Sequence, residues 1–247
     1  MKKLFLAEAY KYRRTFIIWL HILLPAFMGI AFATYGLLAP TYSWQAVTKA
    51  YFEVLGIGFP LIISIICQKS IELDKEAGNF QALLTSKKRL PLYMQKLLFL
   101  IALEILAVVI AIVSFSLLYG GLVNHLTFYL VLLFAYLLST IFLYCLHIDL
   151  AFIFGNGLTI IVGIFESLIA ALFLTGLGDF VWKFVPCSWS SRLIGLIMAH
   201  LGIIKSVGPV IERELLNWIL LLFIMTIPIV VASLIWFNHW EGRSGND

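Results

Sequence analysis

The chain has 247 residues, of which 62% are hydrophobic and only 12% charged, with a formal net charge of +4. Soluble domains carry roughly a quarter of their residues as Asp, Glu, Lys or Arg, so this composition cannot clothe a water-facing surface and excludes a soluble fold. The 17 Lys and Arg cluster beside long apolar runs, which argues for membrane edges and against a nucleic-acid partner.

In chain order, residues 2–15 read as an interfacial elbow helix. Phe5, Ala9, Tyr12 and Phe16 share one face, while Lys2, Lys3, Lys11 and Arg14 lie off it. The same basic residues also serve as a simple topogenic cluster, and the pattern leaves both readings open. The first span is predicted over 16–36. Ala31-Phe32-Ala33 has the shape of a signal cleavage site, but the apolar run continues to Leu38, longer than a signal-peptide core. A second, short span is predicted over 51–67, anchored by Trp44 and Tyr51 with Glu53 at its outer end.

The segment 68–91 follows. Leu73, Ala77, Phe80 and Leu84 fall on one helical stripe, with Glu72 and Glu76 beside it. Gly78 is an exposed helix position or a kink, and Pro91 stops the segment. Such a helix either docks into a groove on a soluble partner or rests on lipid headgroups through Lys87, Lys88 and Arg89. Spans three, four and five are predicted over 92–119, 126–146 and 158–176, and a sixth over 215–237. Glu104 and Glu166 fall inside spans three and five, where an ionisable group must face protein or a cavity. They either line a substrate path or hydrogen-bond neighbouring helices. Asp149 and His147 are placed at the inner end of span four.

The segment 177–214 is predicted as an extracellular region of short or re-entrant helices. Trp182, Pro186 and Trp189 form either a platform for an amphipathic peptide or an ordinary aromatic belt. Its four basic and three acidic residues nearly balance.

Alternate loops carry twelve Lys and Arg on the face shared by both termini and five on the other, so both termini are expected in the cytoplasm. The fold class is an all-α polytopic membrane protein with six transmembrane helices in a single domain, 1–247. Cys67, Cys145 and Cys187 are widely spaced and indicate neither a metal site nor a disulfide framework. Gly176-Leu177-Gly178-Asp179 has the form seen in intramembrane aspartyl proteases, but that chemistry needs a second carboxylate. No metalloprotease, serine-hydrolase or phosphate-binding loop motif is present. The chain is therefore expected to be neither an enzyme nor an ATPase, with no catalytic residue and no metal of its own.

Glu76-Ala77-Gly78-Asn79-Phe80-Gln81-Ala82-Leu83-Leu84 resembles the Glu-x-Gly...Leu-Leu signature of the coupling helix in ABC-2-type permeases. More narrowly, the chain resembles permease subunits of lantibiotic-immunity ABC transporters. The resemblance rests on Glu8-x-x-Lys11-x-Arg13-Arg14, the block from Glu76 to Leu84, His147-Ile148-Asp149-Leu150-Ala151, Trp182-Lys183-Phe184-Val185-Pro186 with Trp189, and Trp240-Glu241-Gly242-Arg243. It covers essentially the whole chain.

The resemblance implies an exporter half in a bacterial cytoplasmic membrane that expels a lanthionine-containing peptide and so confers self-immunity. A P-loop ATPase subunit holding ATP and Mg, and a second permease subunit, are the implied partners, with no cofactor on this chain. Glu72, Glu76, Gly78, Phe80, Gln81, Leu83 and Leu84 would then couple to the ATPase. Glu104, Glu166, Trp182 and Trp189 would border the substrate path. The rival expectations are an ABC-2 exporter of another drug or peptide, and a non-transport membrane assembly or sensor protein.

Overall fold

The computed structural model describes residues 8–13, 15–86, 89–205 and 208–242. Among them every regular element is helical. The expectations for Lys2, Lys3, Phe5, Arg14, Lys87, Lys88 and Arg243 lie outside the described residues.

A short helix, α1, covers residues 8–12. It is followed by α2 (Phe16–Leu38), α3 (Trp44–Glu76), α4 (Gln81–Leu84), α5 (Arg89–Tyr119), α6 (Leu126–Phe154) and α7 (Asn156–Leu172). Three short 3-10 turns between Gly176 and Ser188 lead to α8 (Trp189–His200) and α9 (Gly208–His239). Five of these, α2, α3, α5, α6 and α9, are long and apolar enough to cross a membrane. Their outward faces carry large apolar side chains such as Trp19, Phe27, Phe134, Leu220 and Ile224, all exposed. Water would penalise that surface, and lipid accepts it. The chain is an all-helical polytopic membrane protein.

The fifth expected span differs. Its helix, α7, has 17 residues, a length of about 26 Å, against about 30 Å of hydrocarbon. It ends at Leu172, where the backbone turns toward the 3-10 segment that begins at Gly176. Conversely, the second span, predicted as the shortest, lies in the longest helix. The 33 residues of α3 extend about 50 Å, because the polar stretch from Gln68 to Glu76 continues the helix rather than opening a loop. Ser43 caps its start by accepting the Ala46 N–H at 3.2 Å.

Side-chain pairings set the directions. In α2 and α5, Tyr12 just ahead of α2 stacks on Phe99 at 4.9 Å, and Gly29 sits against Ser114 and Phe115, so the two helices run parallel. A Cβ at Gly29 would lie 2.0 Å from Ser114 Oγ; only a bare backbone allows this approach. Helices α5 and α6 are antiparallel, with Tyr93 against Asp149 and Glu104 against Thr140. Helices α3 and α7 are also antiparallel, with the Leu61 N–H donating to Ser167 Oγ and Gly163 beside Ser64. In α9, Phe237 meets Tyr93.

The six consecutive helices α2, α3, α5, α6, α7 and α9 therefore alternate in direction. Residues 8–12, the α3–α4–α5 connection and Trp240 meet at one end of the bundle, here the knuckle end. The 3-10 turns and α8 lie at the other. There Leu193, Ile194, Ile197 and Met198 of α8 are buried, and Gly56 of α3 packs directly on the backbone of Ser190 and Ser191. The short helix expected between 177 and 214 is thus present and tucked into the bundle.

Candidate functional site

At the knuckle end, α3 stops because three successive residues leave the right-handed region: Gly78 at φ 138, Asn79 at φ 46 and Phe80 at φ 65. Glycine tolerates this without cost, whereas Asn and Phe do so only when the surroundings enforce it. Phe80 supplies the enforcement. Its ring is buried, 5.9 Å from Phe152 and 5.2 Å from Trp240. The single amphipathic helix expected through Leu73, Ala77, Phe80 and Leu84 is therefore two pieces, the end of α3 and the one-turn α4. Leu73, Phe80 and Leu84 pack inward, whereas Ala77 is exposed with the rest of Lys75 to Asn79 and Gln81.

The other expected coupling residues sit around this turn. Lys69 holds Glu72 at 2.7 Å and Glu76 at 3.6 Å. Leu83 and Leu84 are half-buried, and the Leu84 carbonyl accepts an Arg89 N–H at 2.9 Å. The same guanidinium donates to the carbonyls of Asn238 and Trp240 at 3.3 and 2.8 Å. A cation there satisfies the unpaired carbonyls at the C-terminus of α9. One side chain thus ties α4, α5 and α9 together.

Beneath the knuckle lies a charge cluster that sequence reasoning missed. Lys96 Nζ, 3% exposed, contacts Asp74 Oδ2 at 2.8 Å, Glu8 Oε1 at 3.9 Å and Ser70 Oγ at 3.0 Å. Lys11 reaches Asp74 Oδ1 at 2.7 Å and Glu8 at 3.0 Å. Tyr12 hydrogen-bonds Ser70. Burial pushes the Tyr12 phenol up to about 12, with Lys96 opposing the rise. Two ammonium groups face two carboxylates, so the cluster is neutral and joins α1, α3 and α5. In the sequence Lys96 stands within an apolar run, far from Glu8 and Asp74, and nothing there marks the pairing.

The two intramembrane glutamates both bridge helices. Thr140 Oγ1 donates to Glu104 at 2.7 Å, joining α6 to α5, and His147 Nε2 donates to Glu166 Oε2 at 2.8 Å, joining α6 to α7. Asp149 joins α6 to α5 and α9, accepting from Tyr93 at 2.9 Å and from Ser233. Glu104 has a second exposure, to a cavity of about 300 Å³ between α2, α3, α5 and α6. Its walls are apolar apart from His21, Glu104 and two tyrosines. Glu166 does not line it.

At the far end, neither expected tryptophan is displayed. Trp189 is fully buried with its indole N–H donating to the Lys183 carbonyl at 2.9 Å. Trp182 is buried too, its carbonyl accepting from Ser188 at 2.9 Å. Trp189 acts as a post inside the bundle because its indole N–H finds a partner there. In the segment from Leu177 to Glu214 the exposed aromatics are Phe180 and Phe184. Arg192 closes this end by pairing with Asp179 at 2.8 Å and donating to the carbonyls of Phe173 and Thr175 just past α7. Lys183 pairs with Glu214 at 2.8 Å.

Burial, helped by Glu166, raises the Cys187 thiol to about 12. All three cysteines are free and buried. Among the described residues no three His, Cys, Asp or Glu gather as a metal-holding group. No family model, curated protein or solved structure matches the chain.

Proposed function

We propose that this chain is the permease subunit of an ABC exporter that expels a lantibiotic from the bacterial cytoplasmic membrane, driven by a separate ATPase, and so protects the producing cell. The observation that carries this reading is the knuckle. An exposed turn, Lys75 to Asn79 with Gln81, is braced from within by Phe80 and fastened through Arg89 to α5 and α9. Force applied to this turn reaches α3, α5 and α9 together, as coupling to an ATPase requires. A partner that contacts the turn differently in its two nucleotide states would shift those helices against α2 and α7. On this reading the knuckle end faces the cytoplasm, in keeping with the excess of Lys and Arg on that side.

The six alternating helices supply one half of a pore or wedge, and a second permease subunit supplies the other. The peptide would be taken from the leaflet along the lipid-facing helices. The role assigned to Glu104 is the cavity wall, and that of Glu166 is to hold α7 to α6.

The test substitutes the exposed face and leaves Phe80 intact. Ala77→Asp with Gln81→Arg is expected to reduce ATPase recovery with the tagged permease at least tenfold and to abolish lantibiotic resistance, with thermal unfolding unchanged. Normal recovery and normal resistance in that variant would reject the coupling role. An intact complex exporting other amphiphiles but no lantibiotic would move the reading to a general ABC-2 exporter. A stable partner other than an ATPase would make the chain an assembly or sensor protein.

A further inference from the structure

The 300 Å³ cavity between α2, α3, α5 and α6 has one polar end. His21 Nδ1 lies 2.7 Å from the Ile17 carbonyl. A carbonyl can only accept, so Nδ1 carries the proton, and a neutral ring presents a bare lone pair at Nε2. That nitrogen is buried without a partner, on a residue only 4% exposed, and His21 lines the cavity. Four residues on, Pro25 has no N–H to give the His21 carbonyl, which adds a second acceptor on the same residue.

The α2–α5 register, fixed by Tyr12 on Phe99 and Gly29 on Ser114, brings Glu104 within about one helical turn of His21. Glu104 is buried and held by Thr140, and it lines the same cavity. From there the cavity runs over Leu24, Met28, Ile62 and Val108, and Tyr136 and Tyr144 supply its remaining polar side chains. Val54 at the rim is exposed, so the slot is open toward lipid.

We propose that this cavity binds a single-chain amphiphile with a hydrogen-bond-donating head, the head held by His21 and Glu104 and the chain lying along α2 and α3. An acceptor without a partner, His21 Nε2, beside Glu104 in a slot that is otherwise apolar but for two tyrosines selects a hydroxyl or amine head over an ether, an ester or a bare hydrocarbon. The volume is at the small end for ligand cavities, which fits one chain and excludes a folded peptide of the size an exporter of lantibiotics would carry. His21 is five residues into α2, so the head lies at the knuckle end and the chain enters from that leaflet. The site stands on the cavity alone and holds whether or not the chain couples to an ATPase.

The experiment uses the full chain in phospholipid nanodiscs and a C16 alcohol carrying a diazirine on its chain. After irradiation, the labelled peptides are identified by mass spectrometry. Saturable labelling of residues 20–28 and 54–66 is expected, displaced by unlabelled hexadecanol and about tenfold less well by its methyl ether. Gly58→Leu fills the slot, since a Cβ there meets only Ile62 at an ordinary 3.7 Å, and should abolish the labelling. His21→Leu should weaken it about tenfold. Thermal unfolding of both variants confirms that they fold. Labelling that survives Gly58→Leu in a folded protein is surface lipid contact and overturns the site. Equal competition by alcohol and ether overturns the head-group recognition.

Discussion

Lys96 carries a full charge at a depth where water is scarce, and it is tolerable only because Asp74, Glu8 and Ser70 surround it. Removing one member of a buried pair leaves the other uncompensated, at a cost of roughly 3 to 5 kcal/mol. Lys96→Met is therefore expected to destabilise the protein by about that amount in thermal unfolding. Lys96→Met with Asp74→Leu should recover much of the loss, because no orphan charge remains. A neutral single substitution would show that the cluster contributes nothing.

Cys187 gives a pH-dependent prediction. Its thiol titrates near 12 in the folded protein, so at pH 8 only on the order of one molecule in ten thousand is thiolate. Maleimide should leave Cys187 unmodified in the folded protein from pH 7 to pH 9 and modify it promptly after denaturation; rapid labelling before unfolding would contradict its burial. Because the folded thiol ionises at higher pH than the unfolded one, its contribution to stability falls as pH rises from about 8.5 toward 12. At this scale the sequence was readable where chemistry forces a choice. Glu104 and Glu166 had to face protein, and they do. Trp182 and Trp189 were not readable as buried, because the fold of their segment, including the Lys183 carbonyl that meets the Trp189 indole, is set by three 3-10 turns without periodic pattern.

Among the elements, α3 shows how far periodicity reaches. The stripe through Leu73, Ala77, Phe80 and Leu84 was visible, yet a stripe does not record where a helix breaks. Three left-handed residues break this one, and the sequence marked only Gly78. Phe80→Ala should cost roughly 3 to 5 kcal/mol, since it empties the contact with Phe152 and Trp240. Gly78→Ala meets no neighbouring atom, so its cost is backbone strain alone, about 1 to 3 kcal/mol. Urea or thermal unfolding in detergent ranks the two; equal values would mean that Phe80 does not brace the turn. Gly56 marks a second such position. A Cβ there would lie 2.5 Å from the Ser191 backbone N, so Gly56→Val should dislodge α8 from α3 and expose Cys187 to maleimide at pH 8.

For the whole molecule, the membrane spans were legible because hydrophobic length is a one-dimensional property, and five of the long helices lie where it put them. The shortness of α7 was hidden by apolar residues that continue past Leu172 into turns. Which helices lie side by side was not legible at all, since pairing depends on small residues such as Gly29 and Gly56 whose partners are far away in sequence. The cavity was invisible for the same reason: four helices make it, and His21 looked like an ordinary residue of a span. The alternation of six helices places Thr85 and Leu177, both exposed, at opposite ends. With the native thiols buried, Thr85→Cys and Leu177→Cys give clean reporters. In intact cells a membrane-impermeant maleimide should label the Leu177 variant only; labelling of Thr85→Cys alone would invert the topology.

The grip of Arg89 on Trp240 also has a bearing on the order of synthesis. The two residues are 151 positions apart, so the knuckle emerges from the ribosome with Phe80 and Arg89 in place but without the carbonyls and indole they require. The exposed turn takes its finished shape only when the last turn of α9 has been made and inserted. A chain halted before Trp240 would leave Phe80 and Arg89 without these contacts and the turn loose.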